Sequence, residues 1–386
     1  MGKGSQLPLW RRVSFVFLLL ALSAISLRCT PGSLPWITKG NPIPDTDVNP
    51  YGANFFLEQE VEDWKRQRTL QMAQDAGLAW ARQQFLWAEI EPQRGQFVWD
   101  KYDGIVDLYE KYGLQIIARL DWPPHWSRAD NSLPSAPPDD LQDYAEFVGT
   151  FVEHYRGRIK YIQVWNEPNV WPNWGNRPVD PEGYVELLCA AYKRAKESDP
   201  TVRVLSAPLA ITLGQRHPEP GRWISMNELQ FLEEVYKAGA GACFDIASAN
   251  AFGFASPPEA PPSEGVLNFS RVLLLRKVME KNGDGGKAVW FLEYGWNASP
   301  EGFSPEGLFW SRVSEEEQAD YTVRGIELAR EQWPWAGVFN IWYFRQVGNI
   351  PPERSDYYFR MVDVDFTPRL VYKAVQAAAL GWKAGQ

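Results

Sequence analysis

Metal-binding and thiol residues are scarce in this sequence, with three Cys and three His among 386 residues. Cys29, Cys189 and Cys243 have no CxxC spacing and no His close by, which argues against a zinc site. His125, His154 and His217 leave little imidazole for a metal cage or a Ser-His-Asp system. No GxGxxG or P-loop opens a helix, so the phosphate cradle of a nucleotide-binding fold is lacking. Basic charge is also in deficit: 39 Lys and Arg face 48 Asp and Glu, a net charge of −9. A surface of that sign repels phosphate backbones, so nucleic acid is not an expected partner. A protein working without metal or cofactor is expected.

Tryptophan, by contrast, is abundant, with 19 residues. Indole rings fill cores, and they also stack on the apolar faces of sugars, so the count favours a carbohydrate ligand while leaving room for packing. Hydrophobic residues at 45% and charged residues at 23% suit a folded soluble chain.

Arg11 and Arg12 precede an apolar run, VSFVFLLLALSAISL, over 13–27. A basic stretch followed by a short apolar one reads as an export signal, and the run is shorter than the roughly 20 residues of a membrane span. An uncleaved anchor stays open. Cys29 suggests lipid attachment, although Arg28 stands where a small residue is expected. Residues 1–29 are thus expected to be a signal peptide or a membrane or lipid anchor, the membrane being met only there. Residues 30–50, rich in Pro, Gly and Asp, read as a linker, and 51–386 as the folded domain. The expected location is outside the cell, secreted or held at the outer face of the membrane, with a bacterial source.

From Tyr51 onwards, strand-length apolar runs alternate with helical patterns. Strands are expected at 51–57, 79–86, 114–120, 160–165, 203–208, 244–250, 288–293 and 338–344. Helices are expected at 60–76, 100–112, 139–155, 181–197, 227–238, 270–281, 314–332 and near 370–380. Repeated βα units demand parallel strands with helices outside them. Eight such units in about 330 residues predict an α/β fold, a closed (β/α)8 TIM barrel forming one catalytic domain, with an open doubly wound sheet as the alternative. The Pro-rich stretch 255–265 follows strand six and is expected to shape the ligand cleft.

In such a barrel, functional residues stand at C-terminal strand ends. Strand four ends in Trp165-Asn166-Glu167-Pro168-Asn169, and strand seven in Glu293-Tyr294-Gly295-Trp296. Strand two carries Arg82, strand eight Trp342, and strand three runs into Asp121-Trp122-Pro123-Pro124-His125-Trp126. A carboxylate straight after an apolar run is costly unless paired or functional. Strands four and seven lie nearly across an eight-stranded barrel, so Glu167 and Glu293 are expected to face each other over the cleft. Cleavage of a glycosidic bond needs two opposed carboxyl groups, one protonating the leaving oxygen and the other attacking or activating water.

These residues carry a resemblance. WNEPN at 165–169 resembles the acid/base motif of glycoside hydrolase clan A, and FLEYGW at 291–296 resembles that clan's nucleophile strand. Arg82 resembles the clan's buried arginine, IEPQRGQFVWDKYD at 90–103 the loop after strand two, Trp342 the aromatic residue ending strand eight, and MVDVDFTPRLVYKAV at 361–375 the closing segment. The resemblance spans residue 51 to about 382, and families 5 and 39 are both similar. It implies cleavage of a β-linked oligo- or polysaccharide or glycoside with retention of configuration. Glu293 would be the nucleophile and Glu167 the acid/base. Arg82 would keep Glu293 ionised, and Asn166 would bind the sugar 2-hydroxyl. One departure stands out. The clan places a Tyr, often near a His, at the end of strand six, where this chain reads SANAFGF with Phe252 and Phe254. That hydroxyl is missing or comes from elsewhere, for example Tyr294 or Tyr343.

Structural readings compete with each assignment. Glu167 could be a salt-bridged structural residue, Arg82 could merely neutralise a buried acid, and Asp121 and His125 could be loop caps. Trp122, Trp126, Trp171, Trp174 and Trp296 fall in loops, where sugar platforms are favoured over core. His154 reads as a surface helix residue. Cys189 and Cys243 read as buried thiols, with a mutual disulfide open to an exported protein. Three other functions compete with hydrolysis. Transglycosylation on the same scaffold is not separable by sequence. A non-catalytic sugar-binding barrel would be favoured by loss of either carboxylate. An aldolase or metal hydrolase would need a strand-end Lys or a His/Asp cluster, and neither is found.

Overall fold

The computed structural model describes residues 42–384, apart from 217, 219–222 and 349. The export signal and Cys29 lie outside the described residues. Eight parallel strands form the centre: β1 (Tyr51–Phe55), β2 (Trp80–Leu86), β3 (Gln115–Asp121), β4 (Tyr161–Val164), β5 (Arg203–Leu205), β6 (Ala247–Phe252), β7 (Val289–Gly295) and β8 (Ala336–Ile341). Their hydrogen-bonded order is β5-β4-β3-β2-β1-β8-β7-β6, and a parallel bridge between Leu205 and Ile246 joins the two edges. Adjacent strands in sequence are therefore neighbours in space, and the expected barrel is found instead of an open sheet.

Each strand is followed by a helix: α1 (Asp63–Asp75), α2 (Asp100–Lys111), α3 (Leu141–His154), α4 (Pro181–Ser198), α5 (Glu228–Lys237), α6 (Val272–Lys281), α7 (Glu315–Gln332) and α8 (Leu370–Ala384). Their starts have local causes. The Asp140, Asp180 and Asn227 side chains accept backbone N–H groups at the starts of α3, α4 and α5, and Ser314 and Glu317 form a reciprocal capping box on α7. Pro181 opens α4, where its missing N–H costs nothing.

The barrel interior is built in layers. At the N-terminal end, Trp80, Ile117, Tyr161, Leu205, Ile246, Trp290 and Val338 form a buried plug. Trp80 and Trp290 approach to 4.9 Å between ring centroids, edge to face. Two glycines make room for them. A Cβ on Gly52 would sit 2.8 Å from the Trp80 Cβ, and one on Gly337 would sit 2.2 Å from the Trp290 indole nitrogen. The two indole N–H groups donate to the carbonyls of Asn49 and Asp45, each at 2.8 Å. Residues 43–50, expected to be linker, thus belong to the compact unit, which starts at Ile43 rather than Tyr51. The reason is satisfaction: a buried indole N–H needs an acceptor, and the chain ahead of β1 supplies two.

Two more expectations are corrected. Cys189 on α4 and Cys243 ahead of β6 are joined in a disulfide and are not free thiols. Strand six starts at Ala247, three residues later than expected, because Asp245 turns aside to bind the Val204 N–H and Lys196, each at 2.8 Å.

Candidate active site

The two carboxylates reach the cleft by different local devices. On β7, Trp290 and Leu292 point into the barrel, so strict alternation would turn Glu293 outward. The register between β6 and β7 shifts between Phe291 and Glu293, and this bulge brings Glu293 inside as well. On β4 the strand ends at Val164, and Trp165 and Glu167 adopt left-handed backbone conformations, with φ of 68° and 46°. Non-glycine residues in that region are strained, and such strain gathers at functional sites.

Arg82 ties the site together. It is 2% exposed, and its guanidinium donates to four side chains: Gln163 Oε1 at 2.7 Å, Asn54 Oδ1 at 2.7 Å, Asn166 Oδ1 at 2.6 Å and Glu293 Oε1 at 3.0 Å. Burial pulls the guanidinium down to about 10, against the opposing pull of Glu293, and it stays charged at neutral pH. The Glu293 carboxylate is thus paired with a buried cation at 3.0 Å. Asn166 has its oxygen taken by Arg82 and by Gln163 Nε2 at 3.2 Å, which leaves its N–H groups for a ligand.

Glu167 sits in different surroundings. It has no cation in hydrogen-bond contact among the described residues. Asn250 Nδ2 donates to Oε1 at 2.6 Å, and Asn173 Nδ2 to Oε2 at 3.1 Å. Desolvation, then the nearby charge of Glu293, raise its pKa from 4.5 to about 7. The Asn250 hydrogen bond, Arg119 and Arg82 pull the other way. One carboxyl is therefore held against a cation and the other is kept protonated to near neutrality, the division of labour that acid/base chemistry requires.

Three participants escape a reading of the sequence. Asn250 on β6 pairs in register with Glu293 while its side chain reaches Glu167. Asn173 comes from the loop after β4. Arg119 on β3 is held through Nε by Asp121 at 2.5 Å, which also accepts from Gln84 at 2.6 Å, and its charge acts on both Glu167 and Glu293. The inward phase of β3, set by Ile117 two residues before Arg119, was the available signal for Arg119; nothing local marks the two asparagines.

The remaining expected site residues divide. Trp171 is 55% exposed and lines a cavity of about 540 Å³ with Asn176, Arg177, Pro178, Gln215 and Trp223. Trp122 is 39% exposed, His125 is exposed, and Trp342 is half-buried, edge-on to Phe56. Three expected platforms are instead packing residues. Trp174 is buried against Trp165 and Tyr184. Trp296 is buried among Phe269, Tyr294 and Tyr321, with its N–H on the Ser256 carbonyl. Trp126 packs on Trp87 and donates to the Glu91 carbonyl. Tyr294 does not support Glu293. It faces the helix layer, where its hydroxyl donates to the Thr322 carbonyl at 2.7 Å, because the position after the bulged Glu293 points outward. The Tyr343 hydroxyl donates to Gln346 at 2.6 Å, and Phe252 packs on Phe359. Among the described residues, Arg82 is thus the sole hydrogen-bond donor to Glu293.

Comparison with known proteins extends this picture. A family model described as beta-galactosidase matches residues 55–129. A search of curated protein sequences finds no match. Among solved structures, a family 39 glycoside hydrolase from Bacteroides cellulosilyticus superposes with a TM-score of 0.63 at 20% identity, over 86% of this chain and 64% of that one. A family 39 beta-xylosidase from Caulobacter crescentus gives 0.62 at 18% identity, over 86% and 71%. A family 39 enzyme from Xanthomonas axonopodis pv. citri gives 0.61 at 16% identity, over 87% and 67%. This chain thus spans less than two thirds of the first of these proteins. With the barrel and the matched segment together, the chain resembles the clan A glycoside hydrolases, and its fold is similar to that of family 39.

Proposed function

We propose that this protein is a retaining glycosidase acting on a β-linked glycoside or oligosaccharide. The observation that carries the reading is the unequal pair of carboxyl groups, Glu293 held by Arg82 and Glu167 protonated to about pH 7. Glu293 attacks the anomeric carbon while the glycosidic C–O bond breaks, and the leaving oxygen takes the proton from Glu167. The product of this step is a glycosyl ester on Glu293. Glu167, now ionised, takes a proton from water as that water attacks the same carbon and releases Glu293. Asn166 offers its N–H groups to the sugar 2-hydroxyl. The partly exposed rings of Trp342 and Trp171 offer aromatic surface to the sugar.

The names of similar structures support this substrate class, since they include beta-xylosidases, a glucosidase and an exo-beta-1,4-mannosidase. Export from the cell fits the Cys189–Cys243 disulfide, which persists in an oxidising compartment. The test is hydrolysis of a panel of aryl β-glycosides and β-linked polysaccharides by the protein and by its Glu167→Gln and Glu293→Gln variants. Activity that collapses in both variants, with the product's anomeric configuration retained by NMR, is expected. Activity that survives either substitution, or an inverted product, overturns the mechanism.

A further inference from the structure

Several buried amides of the barrel are anchored at both ends. Asn54 accepts from Arg82 and donates to the Leu292 carbonyl. Gln163 accepts from Arg82 and donates to the Trp165 carbonyl. Asn169 accepts the Ala210 N–H and donates to the Ala210 and Met226 carbonyls. Each is anchored at both ends, so each serves the scaffold. Asn250 differs. It is 3% exposed, its oxygen has no partner among the described residues, and its one hydrogen bond goes to Glu167. Asn340 on β8 shares the unpartnered oxygen, but its N–H goes to a backbone carbonyl, that of Phe291, whereas the N–H of Asn250 goes to a site carboxyl. The cost of the unpartnered oxygen makes sense where the other end of the amide has a separate task.

We propose that Asn250 is the positioning residue of the proton donor: its N–H fixes Oε1 of Glu167 and governs how readily Glu167 parts with its proton. This rests on the reading of Glu167 as the acid/base. The β6 partner of Glu167 is a neutral amide, which does not itself titrate. The charged groups that face Glu167 are Glu293 from β7, Arg82 from β2 and Arg119 from β3, and Asp121 holds Arg119. An N–H donated to a carboxylate favours its ionised form. Its removal leaves Glu167 protonated to higher pH, a weaker acid whose proton is less well aimed.

The experiment compares Asn250→Leu, which keeps the approximate shape and removes the donor without adding charge, with Asn250→Ala and Glu167→Ala, each checked for folding by its melting curve. kcat/KM is measured against pH for an activated nitrophenyl glycoside and for an alkyl or disaccharide substrate whose leaving group needs protonation. Both Asn250 variants are expected to lose about tenfold to a hundredfold on the poor leaving group and far less on the activated one. Their basic limb is expected to move up by about one pH unit. The infrared band of the protonated Glu167 carboxyl, identified by its loss in Glu167→Gln, is expected to persist to correspondingly higher pH without substrate present. Equal losses on both substrates, or an unmoved limb and band, overturn the proposal. A Glu167→Ala variant without leaving-group dependence would instead overturn the reading of Glu167 beneath it.

Discussion

The two ends of the barrel interior solve opposite problems. At the N-terminal end, Trp80, Tyr161 and Trp290 meet ring to ring, with centroids 4.8–5.2 Å apart, and the two Trp N–H groups are satisfied. At the C-terminal end, Arg82, Arg119, Asp121, Glu167 and Glu293 share one small space, and Trp165 and Glu167 sit in strained backbone. The lower half stabilises the fold through burial of aromatic surface. The upper half costs stability, because charged groups are stripped of water and held in place before any ligand arrives. Placing both in one ring of strands lets the first offset the second.

That contrast can be broken from either side. The largest expected effect is at the top. Glu293→Gln should lower kcat/KM by at least about a thousandfold, roughly 4 kcal/mol of transition-state stabilisation. The melting temperature should change little, since the amide still accepts from Arg82. A large drop in melting temperature would mean that the ion pair is structural.

Trp290→Ala at the bottom should do the reverse. Removing a fully buried indole is expected to cost about 3–5 kcal/mol of unfolding free energy by denaturant titration. kcat/KM below the transition should stay near that of the unaltered protein. A parallel loss of activity would show that the plug sets the geometry of the site as well as the stability of the barrel.

The disulfide sharpens the comparison at the seam. The β5–β6 edge carries one parallel bridge, and Cys189–Cys243 ties α4 to the segment entering β6 beside it. Replacing both cysteines by Ser should cost about 2–4 kcal/mol. Asn250 on β6 would then report any loosening through a changed activity on poor leaving groups.

The smallest effect is the pH dependence of stability. Glu167 is raised from 4.5 to about 7 in the folded protein, so folding favours its protonated form. Its contribution is fully present below about pH 4.5 and is lost as pH rises through about 7. Glu167→Gln should flatten that part of the stability profile, measured as unfolding free energy against pH. The same titration should give the activity of the unaltered protein a basic limb near pH 7.

Much of this is legible in the sequence. The eight βα units were found with shifts of a few residues at their ends, because apolar periodicity reports burial directly. Asn166, Glu167 and Glu293 follow apolar runs near strand ends, and that interruption marks them, whereas Arg82 lies inside β2 and is marked by its resemblance to the clan's buried arginine. The aromatic platforms were less legible. Trp174 and Trp296 follow strands four and seven as Trp171 does, yet both are buried by residues far away in sequence, Tyr184 and Tyr321 among them. Tyr294 adjoins Glu293 but faces the helix layer, because a bulge visible only in the register switches the phase of β7.

The repeated βα order, the barrel that such an order closes into, and two carboxylates at nearly opposed strand ends follow from local periodicity and from the geometry of parallel strands. The unequal surroundings of the two carboxyl groups arise on folding. Arg82 reaches Glu293 across 211 residues, and Asn250 reaches Glu167 across 83. Charge and desolvation act through space, so the chemistry of a site is set by neighbours that the chain brings together only on folding.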